Sequence, residues 1–222
     1  MDLQILLGGW RIGGPPHPRL DRLLRALAPG DGDALGRDTL GMRNQRLLRL
    51  HARFGGGPLE AVATCPSCGT VDAFALPGAA LLALPPPPAD AAAQLGALRF
   101  RVPRMDDLLG DDPRPLVERC CAGAAALAPD AIAQAGDALD ALDPVANPVF
   151  DLVCSACGTA YRAAVDIAAF VAQALDRCAA RLLREIDMIA AAYGWSEAAI
   201  VALPAERRRR YVTMIAARGG AL

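Results

Sequence analysis

The apolar positions of the chain change period several times, and each change predicts a change of element. From Pro18 to Ala28, Leu20, Leu23, Leu24 and Leu27 recur at helical spacing, with Arg19, Asp21, Arg22 and Arg25 on the other side. This predicts an amphipathic helix ended by Pro29, Gly30, Asp31 and Gly32. A second helix is predicted from Thr39 to Phe54, with Leu40, Leu47, Leu48 and Leu50 as its apolar face and Gly55 to Pro58 as its stop. The period then falls to two. Leu59 to Thr64 and Thr70 to Leu76 roughly alternate, as do Val149 to Val153 and Thr159 to Ile167. Each pair reads as two strands joined by a tight turn.

Between these hairpins, residues 79–97 are mostly alanine, leucine and proline, including Pro85 to Pro88, and read as a low-complexity bridge, extended where the prolines cluster. Leu98 to Val102 alternates as a strand, which Pro103 assigns to an edge. Helices over Pro115–Leu127 and Pro129–Leu142 complete an insertion, with Cys120 and Cys121 in the first as packing residues. Asp166 caps the longest helix, Ile167 to Tyr193, whose ladder runs through Phe170, Val171, Leu175, Cys178, Leu182, Ile186, Ile189 and Tyr193. Arg177, Arg181 and Arg184 line another face. Gly194 suits a left-handed cap, Ser196 an N-cap with Trp195 stapled on Ile200, and Pro204 the first turn of a last helix. At the other end, residues 1–16 begin apolar and turn glycine-rich. No Gly-Lys-Ser/Thr follows, so they read as a mobile entry segment and not as a phosphate loop.

The expected fold is therefore α+β: two β-hairpins forming a zinc ribbon, a helical insertion, N-terminal helices, and a long C-terminal helix followed by two short ones. The expected organisation is 1–58 as an N-terminal helical segment, 59–78 with 148–167 as a split ribbon, 79–147 as the insertion and 168–222 as a helical tail.

Composition narrows the partners. A chain of 222 residues is long enough to bury one good core, or a domain with a helical annex. Net charge is −1 with a pI near 6.1, so no bulk field attracts nucleic acid or an anionic membrane. Every basic residue is arginine, which with abundant Ala, Gly and Pro suggests a GC-rich bacterial source. The N-terminus lacks a basic n-region, and no run of about 18 apolar residues occurs, so neither a signal peptide nor a membrane span is expected. Seven cysteines, an odd number with four in metal-type spacing, favour a reducing cytoplasm over a disulfide framework.

Those four cysteines carry the clearest chemistry. Cys65-Pro66-Ser67-Cys68-Gly69 and Cys154-Ser155-Ala156-Cys157-Gly158 are matching knuckles, each with two residues between thiols and a glycine after the second. A C-x-x-C turn supplies two of the four soft ligands that a tetrahedral metal needs, and glycine suits the chain reversal that follows. Although 85 residues separate Cys68 from Cys154, the duplication reads as one structural Zn2+ site of Cys65, Cys68, Cys154 and Cys157. Iron held in the manner of rubredoxin, two redox C-x-x-C motifs, and reduced structural thiols are the alternatives.

No catalytic constellation is legible. His17 and His51 are the only histidines, neither beside a nucleophile motif, and four cysteines close the metal to substrate; no enzyme activity and no small-molecule substrate are expected. The run Arg207, Arg208, Arg209 and Arg210 lacks the basic domain of a nucleic-acid footprint. Four consecutive helical residues point around most of the circumference, so at least one must lie against protein and the others face solvent or a partner.

The tail from Ala192 through Tyr193, Trp195, Ser196, Ile200, Leu203 and Arg207 to Tyr211 resembles a signature of small proteins of contractile phage tails and related injection systems. The rest agrees: Leu40-Gly41-Met42-Arg43-Asn44, the first knuckle, Val102-Pro103 with Asp107 to Leu109, Arg119-Cys120, and Asp143-Pro144 before Cys154. From about residue 18 to 215 the chain is similar to the phage baseplate hub assembly chaperone-like family, departing from it at Leu203-Pro204, where a Ser or Thr cap is expected. The resemblance implies a cytoplasmic assembly factor, or a minor component kept in the particle, whose partners are baseplate or hub proteins. Tyr193, Trp195, Arg207, Arg208, Arg209, Arg210 and Tyr211 are then the candidate partner-binding residues. The competing function is a zinc-ribbon nucleic-acid-binding or transcription-associated protein, motivated by the ribbon and the arginine run.

Overall fold

A computed structural model describes residues 6–8, 10, 13–28, 30, 32–54, 59–88, 90–109, 112–122 and 127–219. The Gly55–Pro58 stop and parts of the glycine-rich entry lie outside them. The fold is α+β, and the chain divides into two compact units, Ala28–Val171 and Met1–Leu27 with Ala172–Leu222. Residues 1–58, one segment by sequence pattern, are thus shared between the two.

In the Ala28–Val171 unit, α2 (Gly32–Arg37) leads into α3 (Leu40–Arg53). Thr39 caps α3, its Oγ1 accepting from Met42 N at 3.2 Å. The buried face of α3 carries Leu47, Leu48 and Leu50, but also Arg43, Asn44, Gln45 and His51. Two of these polar groups, Asn44 and Gln45, act as clips. Asn44 Nδ2 donates to the carbonyls of Val145 and Ala146 at 2.8 and 3.1 Å, and Gln45 Nε2 to those of Leu81 and Leu84 at 3.0 and 2.8 Å. Asp143 Oδ2 accepts from Gly41 N at 2.9 Å. The carbonyls that two loops would otherwise bury unpaired are thereby satisfied, and the loop entering the second hairpin is fixed to α3.

The first hairpin is β1 (Glu60–Thr64) with β2 (Val71–Ala75), and the second is β5 (Val149–Val153) with β6 (Ala160–Ala164), both antiparallel. Alternate residues face outward, among them Val62 and Val153, each more than two-thirds exposed. Inward-facing Phe74 and Phe150 meet across the hairpins at 5.6 Å between ring centroids.

The alanine–proline bridge is more ordered than its composition predicts. It contains α4 (Gly78–Ala83) and β3 (Ala92–Leu95), and β3 pairs with β4 (Leu98–Arg101) through a turn at Gly96, whose φ is +58°. Ala92 to Leu95 is a weak strand former; the tight glycine turn and the paired β4 supply its order. The hairpin buries Ala93, Phe100 and Val102 with Ala135 and Leu139 of α7 (Pro129–Leu142). α5 (Met105–Leu109) follows Pro103. The helix expected over Pro115–Leu127 is corrected: α6 spans only Leu116–Arg119. Cys120 and Cys121 have left it, and Phe100 and Cys121 form a β-bridge. Residues 123–126 lie outside the described residues.

α8 (Ile167–Tyr193) begins in this unit and continues in the other; Asp166 Oδ1 accepts from Ala169 N at 3.0 Å, the expected cap. Beyond Ala172, α8 joins α9 (Glu197–Val201), α10 (Ala205–Gly219) and α1 (Pro16–Leu27) in the second unit. Leu182, Ile186 and Ile189 of α8 bury Ile200 and Val201 of α9, with Tyr211, Val212 and Ile215 of α10 against them. The last helix, at 15 residues, is not short. The mobile entry is corrected at Trp10, which is buried: its Nε1 donates to Asp176 at 2.8 Å, and the Arg19 guanidinium lies 4.1 Å over its ring while pairing with the same carboxylate. No helix among the described residues is long and apolar enough to cross a membrane.

Candidate metal centre

Each knuckle is built by the same two backbone bonds. Cys65 N donates to Thr70 O at 2.8 Å and Gly69 N to Cys65 O at 2.9 Å; Cys154 N donates to Thr159 O and Gly158 N to Cys154 O, both at 3.0 Å. Gly69 and Gly158 have φ of +75° and +71°, where a side chain would be strained. The turns aim their paired thiols at one point. All four Sγ atoms lie within 4.8 Å of one another, Cys65–Cys157 at 3.8 Å and Cys68–Cys154 at 3.5 Å, and all four cysteines are free. A tetrahedral ion with metal–sulfur bonds of about 2.3 Å requires sulfur–sulfur separations of about 3.8 Å. The four cysteines therefore fit a metal ion, Cys65 and Cys154 buried and Cys68 and Cys157 exposed.

Electrostatics give the same reading. Cys157 is drawn down to about 6, first by the Thr159 hydroxyl 3.3 Å from its sulfur and then by the Thr159 amide. Cys68 is lowered by the equivalent Thr70 hydroxyl. At Cys154 the amides of Cys157 and Ala156 pull down, but burial and the neighbouring Cys68 and Cys157 sulfurs push harder, and its thiol rises to about 12. Two sites favour thiolate and a third is penalised by them. A cation at the centre removes that conflict.

A clasp between the hairpins lies beside the thiols. Asp72 on β2 accepts from Ser155 N at 3.1 Å, Ser155 Oγ at 2.6 Å and Tyr161 OH at 3.0 Å, all on the second hairpin. The Ser155 hydroxyl and then its amide hold the Asp72 carboxyl below its ordinary value, and burial followed by Asp72 pushes Tyr161 up to about 12. The motif reading missed this clasp. Its one signal was a charged residue at an inward position, since Asp72 and Tyr161 each stand seven residues after the first cysteine of their knuckles.

No protein-family model, no curated protein and no solved structure matches the chain. The metal site therefore stands on its own geometry.

The other singled-out residues lie in the second unit. Tyr193, Trp195 and Tyr211 form a three-ring cluster: Tyr193 stacks on Trp195 at 5.3 Å, and Tyr211 meets both edge-on at 5.5 and 5.1 Å. Gly194 has φ +65°, and Ser196 Oγ accepts from Ala199 N at 3.3 Å. Arg207, Arg209 and Arg210 are exposed. Arg208 is turned inward, 4 % exposed, pairing with Glu185 at 3.1 Å and donating to Leu203 O at 2.6 Å; it is withdrawn from any exposed binding face. Pro204, Glu206, Arg207, Arg210, Tyr211 and Met214 line an open cavity of about 540 Å³. Of the remaining thiols, Cys120 is buried and pushed up to about 11 by that burial, and Cys178 is raised by burial as well.

Proposed function

We propose that the protein is a non-enzymatic assembly factor, or a minor structural component, of a contractile phage tail or injection-system baseplate, stapled by a structural Zn2+ and acting through protein–protein contact. Four protein thiolates complete a tetrahedral shell, which leaves no position for substrate and suits a metal whose work is to hold two distant segments together. Free thiols in that arrangement suit a reducing compartment such as the cytoplasm.

The observation that carries the binding role is the ring cluster. Trp195 is 37 % exposed and Met214 48 %, beside a cavity rimmed by Arg207 and Arg210. Exposed aromatic side chains next to arginine are the residue types that dominate binding energy at protein interfaces. The partners we propose are the hub and baseplate proteins of the apparatus.

Calorimetric titration of the purified protein with each hub and baseplate protein of one such apparatus tests this. One of them should bind, and Trp195→Ala or the pair Arg207→Glu with Arg210→Glu should abolish binding while circular dichroism and metal content stay unchanged. If no such protein binds, the baseplate role fails. Salt-sensitive micromolar capture of DNA on filters instead would turn the assignment to the zinc-ribbon nucleic-acid reading.

A further inference from the structure

The overall charge balance of the chain conceals an asymmetry between its two units. Met1–Leu27 with Ala172–Leu222 carries twelve arginines against seven acidic residues, a formal charge of +5. Ala28–Val171 carries eleven against seventeen, or −6, and the two together give the −1 of the whole chain. The near-zero net charge therefore describes neither unit, and the helical one attracts anions.

On α10 that positive charge is concentrated and accessible. Arg207, Arg209 and Arg210 are exposed, and among the described residues only Arg210 of the three meets a carboxylate, that of Glu206 at 2.7 Å. Both side chains of this pair are 75 % exposed, so it contributes little and leaves the Arg210 guanidinium available to a partner. Arg207 reaches the Tyr211 hydroxyl at 3.5 Å, and Arg209 donates to Ala205 O at 3.4 Å. Arg207 and Arg210 line the cavity of about 540 Å³, and Arg209 and Arg210 a second of about 480 Å³. Glu206 and Met214 belong to both walls, so three arginines face one acid.

The apolar part of this face separates one kind of anionic partner from another. A nucleic-acid base needs an open aromatic ring to stack on. Tyr193 and Trp195 stack on each other, Tyr211 meets both edge-on, and Arg218 and Arg207 lie over Tyr193 and Tyr211 at 5.6 and 5.9 Å. These rings are engaged with their own neighbours. Met214 remains outward, a flexible apolar side chain that adapts to the surface of another protein.

We propose, resting on the reading of the tail as a protein interface, that the exposed face of α10 binds an acidic protein segment with one apolar anchor. Its carboxylates meet Arg207, Arg209 and Arg210, and the anchor seats on Met214. Planar guanidiniums match carboxylate oxygens two at a time, and such pairs speed encounter and exclude wrong partners. The acidic Ala28–Val171 unit repels the same segment, which restricts it to the helical unit.

Phage-displayed random twelve-residue peptides, selected on the metal-loaded full chain, are the probe. Enriched peptides should carry at least two Asp or Glu around a Leu, Met or aromatic residue. In fluorescence anisotropy, Arg207→Gln with Arg210→Gln should weaken them by about tenfold, because two charge-assisted contacts are lost. Arg207→Glu with Arg210→Glu should weaken them by about a hundredfold, because attraction becomes repulsion. Arg22→Glu with Arg177→Glu removes as much charge from exposed positions outside both cavities, and at physiological salt should change affinity by less than about threefold. Circular dichroism and metal content should stay unchanged throughout. No enrichment, enrichment without acidic residues, unaltered affinity in the Arg207–Arg210 variants, or equal loss in the Arg22–Arg177 variant would overturn the proposal and leave the baseplate role standing. So would a single-stranded oligonucleotide that displaces the peptides at far lower concentration with a steep salt dependence, since the ligand would then be a nucleic-acid backbone. Peptides that behave as expected while no hub or baseplate protein binds would keep this site and remove the baseplate role.

Discussion

Replacing Gly41 by alanine should weaken the Ala28–Val171 unit sharply, whereas the same change at Gly136 should strengthen it. A Cβ built at Gly41 would stand 1.7 Å from Asp143 Oδ1 and 2.6 Å from its Cγ, so the carboxylate must leave. Asp143 is 2 % exposed and accepts the Gly41 amide at 2.9 Å. Its displacement strands a buried donor, at about 1–3 kcal/mol, and crowds a packed site, at about 1–3 kcal/mol more. Alanine's helix preference returns ~1 kcal/mol, leaving a net loss of about 1–5 kcal/mol. At Gly136, inside α7, a Cβ meets nothing within 4 Å, and only the helix gain of about 0.5–1 kcal/mol remains. The assay must report this unit alone. Both tryptophans belong to the other unit, so pulsed alkylation of buried Cys120 across a urea series is the reporter and tryptophan emission the control. With m near 2 kcal/mol per molar, Gly41→Ala should lower the Cys120 midpoint by about 0.5–2.5 M and Gly136→Ala should raise it by a few tenths. If the Gly41 variant lies within roughly 0.3 M of the parent, the close approach of Gly41 to Asp143 does not hold the loop and the argument is wrong.

Three other outcomes are expected. Cys157→Ser should cost the protein its metal, measured by elemental analysis of fresh protein, while Cys120→Ser and Cys178→Ser should keep it; equal metal in all three would rule out the four-cysteine site. Burial pushes the Asp107 carboxyl up, but hydrogen bonds from Arg101 and Arg104 N outweigh it, so its folded value lies below the ordinary 3.8. Its stabilisation is then complete above the unfolded value and lost as pH falls through the lower folded one. Near-ultraviolet dichroism titrated downward from pH 5 should show a shallower acid loss in Asp107→Asn than in the parent, from a starting point about 1–2 kcal/mol less stable. In the tail, Arg208→Ala removes the partner of part-buried Glu185 and leaves the Leu203 carbonyl unpaired, and should destabilise its unit by about 2–4 kcal/mol, whereas Arg209→Ala should change it by less than about 0.5 kcal/mol; thermal melts followed by tryptophan emission separate the two, and equal melts would contradict the inward placement of Arg208.

What the sequence determined by itself were features whose causes are local. The two knuckles need only six residues each, and the left-handed Gly69 and Gly158 follow from the reversal after the second thiol. The bounds of Ile167–Tyr193 and Pro129–Leu142 were legible because caps, a proline and a terminal glycine act within one turn. Pairing the knuckles was legible as well, because four soft ligands of one metal must meet wherever they lie in the chain.

Tertiary structure decided whatever depends on distant partners. Asp72 and Ser155 are 83 positions apart, and Trp10 and Asp176 are 166 apart; no local pattern marks either pair. Ala92 to Leu95 became a strand because β4 folds back on it, and Cys120 and Cys121 left their helix because an open strand edge offered hydrogen bonds. The regular period of a helix could say that at least one of four successive arginines faces inward, but only Glu185 and the Leu203 carbonyl, brought close by packing, select Arg208. Local backbone preferences are worth a fraction of a kcal/mol per residue, whereas satisfying a buried charge or amide is worth several times that, so the longer-range demand prevails where the two compete.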